Sequence, residues 1–337
     1  MTYISLPDDT QRRLTFYLAT EEYVARRMDL PDAFFMWQVE PTVIFGRNQL
    51  IANEVDMDYC QRHGISTYRR KSGGGCVYAD MGNVMLSYVT KDENVSMTFN
   101  RYINLVALAL YRMGIDAHAT GRNDILIDGR KVSGNAFYHL KGKSIVHGTL
   151  LYDTNMEYME HSITPSTPKL QSKGVGSVRQ HITLLKDHTS MTLPEVMDSI
   201  RNTVCDSETT LPQSAISEIT EIEKEYLNDA FIWGSNPSYT TVCHGHVDGV
   251  GEIEVRLVLR NGIIRSANIL GDYFLTGDLD NDILRPLRGA TLARESLEAA
   301  LPHDLSHTIM GLNRDNLIRL LLSNDESSNN NKVQSTI

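Results

Sequence analysis

Arg69-Arg70-Lys71-Ser72-Gly73-Gly74-Gly75-Cys76-Val77-Tyr78 follows a strand-like run, residues 65–68, and ends in another, residues 76–78. Three successive glycines let backbone N–H groups turn toward one bound oxygen. Arg70 would add a charge-assisted fork to a phosphate or carboxylate. Three cations beside glycines suit a small anion better than a duplex. No Gly-Lys-Ser/Thr follows at the offset a P-loop needs. Taken alone, the segment also reads as a glycine-rich hairpin with solvated arginines.

Working outward, strands alternate with helices. Residues 9–28 read as a helix capped by Asp9 or Thr10, with Leu14, Tyr17, Leu18 and Ala25 on an apolar face and Pro31 beyond its end. Residues 33–39 and 42–45 are strand-like around Pro41, and residues 54–63 are helix-like up to Gly64. Residues 84–89 form a further strand. In 97–113, Ile103, Val106, Leu110 and Met113 recur at helical spacing, with Gly114 as C-cap. The block 124–152 carries turn signals at Asp128-Gly129 and Lys141-Gly142, which predicts consecutive hairpins. Helices are expected at 156–163, 193–205 and 215–228. The aperiodic stretch 164–176 is a candidate lid. After Trp233 the composition shifts. Runs 252–259 and 263–270 flank Asn261-Gly262, and helices near 277–287, 292–300 and 315–322 complete a second α+β unit. Residues 323–337 are rich in Ser and Asn and read as disordered.

With 337 residues, 41% hydrophobic and 22% charged, the chain can bury a large core, in one large domain and one smaller one. No apolar stretch is long enough to cross a bilayer, and residues 1–10 lack the basic start and apolar core of a signal peptide. A cytoplasmic protein without a membrane partner is expected. The four cysteines, Cys60, Cys76, Cys205 and Cys243, form no C-x-x-C pair and read as reduced thiols. A net charge of −10 without a basic patch argues against nucleic acid as the main ligand. His244-Gly245-His246 would put two imidazoles on one side of a strand, but no third ligand is near in sequence.

Further clusters carry chemistry. Gly121-Arg122-Asn123-Asp124 precedes a strand, and Gly129-Arg130-Lys131-Val132-Ser133-Gly134-Asn135-Ala136 follows its turn. When a carboxylate attacks an α-phosphate two anions must meet, so a fixed ammonium such as that of Lys131 stabilises the charge that develops. The same ammonium would polarise an acyl carbonyl when an amine attacks. Asp124 would suit Mg²⁺ shared with phosphates. His147-Gly148-Thr149 offers donors and close approach, and Ser172-Lys173-Gly174, then Ser177-Val178-Arg179, would place a cation over nucleotide. Each has a plain alternative: a solvated hairpin lysine, a structural strand histidine.

In their order and spacing, R-R-K-S-G-G-G-C-V-Y, G-R-N-D-I, G-R-K-V-S-G-N-A, H-G-T-L-L and S-K-G then S-V-R resemble the lipoate-protein ligase family. The resemblance implies an α+β fold: a mixed-sheet catalytic domain of the biotin/lipoate-protein ligase type over 1–240, a smaller α+β accessory domain over 241–324, and a tail over 325–337. It implies that lipoate and ATP, with Mg²⁺, give lipoyl-AMP, and that the acyl group passes to a lysine of a lipoyl domain of a 2-oxoacid dehydrogenase complex or of the glycine-cleavage H protein. A monomer is expected. Lys131 would be catalytic. Arg70, Gly75, Cys76, Val77, Tyr78, Asn123, Asp124, His147, Gly148, Thr149 and Lys173 would surround ATP and the adenylate with it, and Ser72, Gly73, Gly74, Lys131 and His147 would contact lipoate. Three positions depart from the family pattern: Ala79 before Asp80, Leu50 after Gly46-Arg47-Asn48-Gln49, and Leu184. The rival reading is an ATP-independent acyl transferase of the same superfamily, with Cys76 as the nearest thiol.

Overall fold

The run Asn83–Thr90 is buried at every position, as a strand covered on both faces must be, and the larger of two units is built around it. The structure, a computed structural model, describes residues 1–91, 94–120, 123–140, 142–164, 181–234 and 239–323. The chain divides into two compact units. The first comprises Met1–Arg47, Ile51–Ser72 and Cys76–Gly234, and the second Asn48–Leu50, Gly73–Gly75 and the described part of Ser235–Ile337.

The first unit runs β1 (Thr2–Ser5), α1 (Leu14–Arg27), β2 (Asp32–Trp37), β3 (Thr42–Phe45), α2 (Ile51–Glu54), α3 (Met57–Arg62), β4 (Ser66–Arg69), β5 (Val77–Ala79) and β6 (Asn83–Thr90). It continues with α4 (Val95–Arg112), β7 (Ala117–Ala119), β8 (Asp124–Ile127), β9 (Arg130–Leu140), β10 (Lys143–Leu151), α5 (Met156–Ser162), α6 (Leu193–Val204), β11 (Ser207–Thr210), α7 (Ala215–Tyr226) and α8 (Asp229–Trp233). Its main sheet has the order β11-β1-β2-β6-β10-β9-β8-β7. Strand β1 is parallel to both neighbours and the other pairs are antiparallel, so the sheet is mixed, as expected. A smaller sheet has the order β4-β3-β5.

The β8–β9 hairpin turns at Asp128 (φ 50°) and Gly129 (φ 74°), two left-handed residues in succession, the geometry that favours Asp-Gly in a two-residue turn. Helix α4 buries Ile103, Val106 and Leu110 as its spacing predicts, and Asn94 caps it by accepting the Met97 N–H at 3.1 Å. Helix α1 starts later than expected. Neither Asp9 nor Thr10 caps it: Asp8 accepts the Thr10 N–H at 3.0 Å and pairs with Arg12 at 2.8 Å in a local turn, and Arg13 stands at the N-cap without a side-chain capping bond, its guanidinium paired instead with Glu223 at 2.6 Å. Every residue of α1 from Leu14 to Ala25 is buried, including Thr15, Thr20, Glu21 and Glu22. Leu14, Tyr17 and Leu18 share an apolar cluster with Trp37, Ile219 and Tyr226.

The second unit is built on an antiparallel sheet of β12 (Thr241–Val247), β13 (Gly251–Arg260) and β14 (Ile263–Gly271). Asn261 (φ 54°) and Gly262 (φ 74°) make the predicted turn. Helices α9 (Arg285–Leu287), α10 (Arg294–Ala300) and α11 (Arg314–Leu322) follow, and Val255, Leu257, Ile264, Leu287, Leu297 and Leu317 are part of the core. Of the helix expected over 277–287, a π-turn at Asp280–Leu284 and the short α9 form. The tail expected over 325–337 and nearly all of the candidate lid lie outside the described residues.

Gly82 accepts the Asp153 N–H at 2.8 Å, and a Cβ there would stand 2.1 Å from the Asp153 carbonyl oxygen. A backbone atom cannot swing aside, so Gly82→Ala is expected to destabilise the unit by about 1–3 kcal/mol. The check is the urea midpoint at constant m-value; a midpoint equal to the parent's contradicts the close approach.

Candidate functional site

The loop leaving β4 separates three cations that the sequence puts side by side. Arg69 donates from Nε to the Ile232 carbonyl at 2.9 Å and from Nη1 to those of Gly46 and Arg47 at 3.0 and 2.8 Å. Its guanidinium lies 4.7 Å over the Phe45 ring, and burial brings its pKa down to about 10. Arg69 is therefore a strut of the fold. Lys71 runs to carboxylates on two helices. Arg70 is also buried; it donates from Nη1 to the Ile44 carbonyl at 3.0 Å and from Nε to Ser72 Oγ at 2.9 Å.

From Ser72 a chain of buried polar groups continues. Ser72 Oγ is 2.7 Å from His147 Nε2, and His147 Nδ1 is 3.0 Å from both oxygens of Glu21. Ser87 Oγ donates to Glu21 Oε1 at 2.6 Å, and Trp37 Nε1 donates to Ser87 Oγ at 2.9 Å. A carboxylate accepts, so Nδ1 carries the imidazole proton, and Nε2 is left to accept from the Ser72 hydroxyl. Ser72 in turn accepts from Arg70. The direction of donation is consistent along the whole chain, from Arg70 and Trp37 inward to Glu21.

Lys131 belongs to β9, where a bulge shifts the register opposite Ile125 and Leu126. Its Nζ is 2.8 Å from Asp124 Oδ1, and both side chains are 18% exposed. Its carbonyl accepts the Thr183 N–H at 2.9 Å. A Cβ on Gly134 would stand 2.4 Å from that Nζ and 2.5 Å from Cε, so the lysine lies across the glycine. Asp124, Gly134, Thr149 and Met85 are successive cross-strand partners on β8, β9, β10 and β6, and Ala136, His147 and Ser87 form the next row. Directly opposed residues share a face, as do residues two apart. The Lys131 amine therefore overlies the sheet face that carries His147.

Asn135 braces this arrangement. It takes the Asn123 carbonyl from both its backbone N–H (3.0 Å) and its Nδ2 (2.9 Å). A Cβ on Gly148 would come within 1.8 Å of Asn135 Oδ1, so glycine at 148 makes room for this amide. Val77 and Tyr78 pair with Ile44 and Val43 in the smaller sheet. The Tyr78 phenol is buried, and that burial, then the Asp80 charge, raises its pKa. Cys76 is half-buried and in no disulfide among the described residues. Gly73, Gly74 and Gly75 group with the second unit, where the Gly74 N–H donates to the Tyr273 carbonyl at 3.1 Å. Lys173 lies outside the described residues. On β12, His244 and His246 both face Glu252, at 3.4 and 2.9 Å. Among the described residues no group of three or more His, Cys, Asp or Glu is arranged to hold a metal ion.

Sequence reasoning overlooked Glu21, Ser87, Trp37 and the role of Asn135. Glu21 had a signal: it fills the gap between Leu18 and Ala25 on the apolar face of α1, where a carboxylate needs a partner.

The profile described as the lipoyl protein ligase A/B catalytic domain matches residues 14–204, and that of the bacterial lipoate protein ligase C-terminus matches residues 236–321. Lipoate-protein ligase LplJ of Bacillus subtilis is 31% identical over 317 residues, 90% of this chain and 95% of that protein. Among solved structures, P. falciparum LipL1 in complex with lipoate superposes with a TM-score of 0.73 at 18% identity, covering 96% of this chain and 98% of that one. A lipoate-protein ligase A bound with ATP gives 0.60 at 23% identity, covering 69% and 98%. The last two likenesses speak for the fold. With a matching profile over more than half of its length, this chain belongs to the lipoate-protein ligase family.

The donor chain fixes one tautomer. Nitrogen-detected NMR of His147 is expected to show the proton on Nδ1 with Nε2 accepting from Ser72, and a ring whose proton sits on Nε2 alone would reverse that order of donation.

Proposed function

We propose that this chain activates free lipoate with ATP to lipoyl-AMP, releasing pyrophosphate, and then transfers the lipoyl group to a lysine of an acceptor protein, releasing AMP. One observation carries the mechanism: the Lys131 amine is held 2.8 Å from Asp124, across Gly134, over the face that bears His147. Lipoate carboxylate and ATP α-phosphate are both anionic, so an ammonium fixed between them lowers the barrier where their charges approach. The same ammonium would polarise the acyl carbonyl when the acceptor amine attacks. Arg70 and Ser72 would orient the acid, and His147, fixed by Glu21, would hold the Ser72 hydroxyl in place. Asn123, Gly148, Thr149 and the segment 75–78 would border the nucleotide, and Lys173 would close over it.

Magnesium is usually held by one or two carboxylates together with phosphate oxygens, so it needs no cluster of three protein ligands, and none is present among the described residues. Asp124 would be its protein ligand, and the ion would neutralise phosphate charge. The acceptors favoured are lipoyl domains of 2-oxoacid dehydrogenase complexes or the glycine-cleavage H protein. We further assign catalysis to residues 1–240 and an accessory role to 241–324, in a monomer that works in the cytoplasm. Among the described residues no helix is long and apolar enough to cross a membrane. The ATP-independent transferase is not favoured, because the relatives that align along most of the chain are named as ligases.

The deciding assay incubates the protein with free lipoate and an apo-lipoyl domain, with and without Mg·ATP, and weighs the acceptor by mass spectrometry. Lipoylation is expected only with Mg·ATP; modification solely from an acyl-carrier donor would establish the transferase instead. Lys131→Ala is expected to keep the fold and to lose on the order of 3 kcal/mol of transition-state stabilisation, a hundredfold or more in pyrophosphate release. Gly134→Ala should lower the same rate about tenfold or more by pushing the amine off its seat, and a rate like the parent's would show that the seat is immaterial.

A further inference from the structure

Lys71 stands between Arg70 and Ser72, yet its side chain goes elsewhere. Its Nζ is 2.6 Å from Glu22 Oε1 and 2.8 Å from Glu225 Oε2, and 4.8 Å above the Tyr226 ring. The side chain is 13% exposed. Glu22 is fully buried; its Oε1 also accepts from the Tyr226 hydroxyl at 2.5 Å, and its Oε2 pairs with Arg26. One residue earlier on α1, Glu21 holds His147, and His147 holds Ser72. Two consecutive buried carboxylates of one helix thus grip two consecutive residues of the loop, Lys71 directly and Ser72 through the imidazole.

A buried charge is retained at a heavy desolvation cost unless partners meet it, so Glu22 and Lys71 bind each other firmly. The pair joins the loop to α1, and Glu225 with Tyr226 joins it to α7. Arg70 and Ser72, bonded to each other and to groups beneath the loop, are held by the peptide that Lys71 anchors.

We propose that Lys71 is a positioning residue: its ion pairs with Glu22 and Glu225, backed by Tyr226, hold the peptide 70–72 so that Arg70 and Ser72 meet the substrate acid already ordered. The proposal rests on the ligase reading above and deepens it. Lys71 does not touch the reacting atoms; it acts through its neighbours. Without the clamp, ordering the loop becomes part of binding, whereas the chemistry at Lys131 is unchanged. The effect therefore falls on KM.

Two measurements on Lys71→Met and Lys71→Arg test this in the full chain. Amide hydrogen exchange of a peptide spanning 70–72 should quicken about tenfold or more in Lys71→Met, with α4 protected as in the parent. In pyrophosphate release with lipoate and Mg·ATP, Lys71→Met should raise the KM for lipoate on the order of 10- to 100-fold with kcat within about threefold. Lys71→Arg, which keeps the charge, should recover most of the affinity. Unchanged KM, a loss confined to kcat, or an arginine variant no better than methionine would overturn the proposal. If Lys71→Met does not fold, Glu225→Gln decides, since it removes one half-exposed partner: a severalfold rise in KM supports the clamp and none rejects it. An inactive parent would sink the ligase reading instead, and exchange at 70–72 would still judge whether the loop is held.

Discussion

Two adjacent carboxylates with no exposure to water, Glu21 and Glu22, set the terms for the larger unit. Each needs donors, because an unpaired buried charge costs several kcal/mol. The donors come from elements far apart in the chain: His147 of β10 and Ser87 of β6 for Glu21, and Lys71 of the loop after β4, Arg26 of α1 and Tyr226 of α7 for Glu22. Burial, and then the charges of Glu21 and Glu22, raise the Tyr138 pKa well above its ordinary value. Burial also raises that of Tyr226, which therefore stays a neutral donor to Glu22.

The same acids explain why a loop of cations does not behave as one patch. Arg69 is spent on backbone carbonyls, Lys71 on carboxylates, and Arg70 turns toward Ser72. Three identical charges in sequence have three different tasks because successive side chains leave the chain in different directions, and each meets a different wall.

Space is the second constraint. Gly134 and Gly148 lie on adjacent strands, and each leaves room for a polar side chain: the Lys131 amine over one, the Asn135 amide against the other. A methyl group at either position would collide with it. These glycines are matters of contact, since neither is among the residues with positive φ.

Local chemistry was enough to read much of the architecture. Asp128-Gly129 and Asn261-Gly262 announced their hairpins because few other pairs accept two left-handed residues, and α4 showed itself by its apolar period. Strands β1 and β11 were not legible: Ser207-Glu208-Thr209-Thr210 is exposed throughout and carries no pattern, being held by backbone pairing to a strand some two hundred residues away. Residue order alone carried the family resemblance and pointed to Lys131, Asp124, Arg70, Ser72 and His147 as candidates for the site. Only the tertiary structure decided that Glu21 closes the chain through His147, that Lys71 turns to Glu22, and that the Lys131 amine shares a sheet face with His147. Burial and cross-strand register fix those pairings, and both are properties of the assembled sheet and helices that no stretch of sequence holds alone.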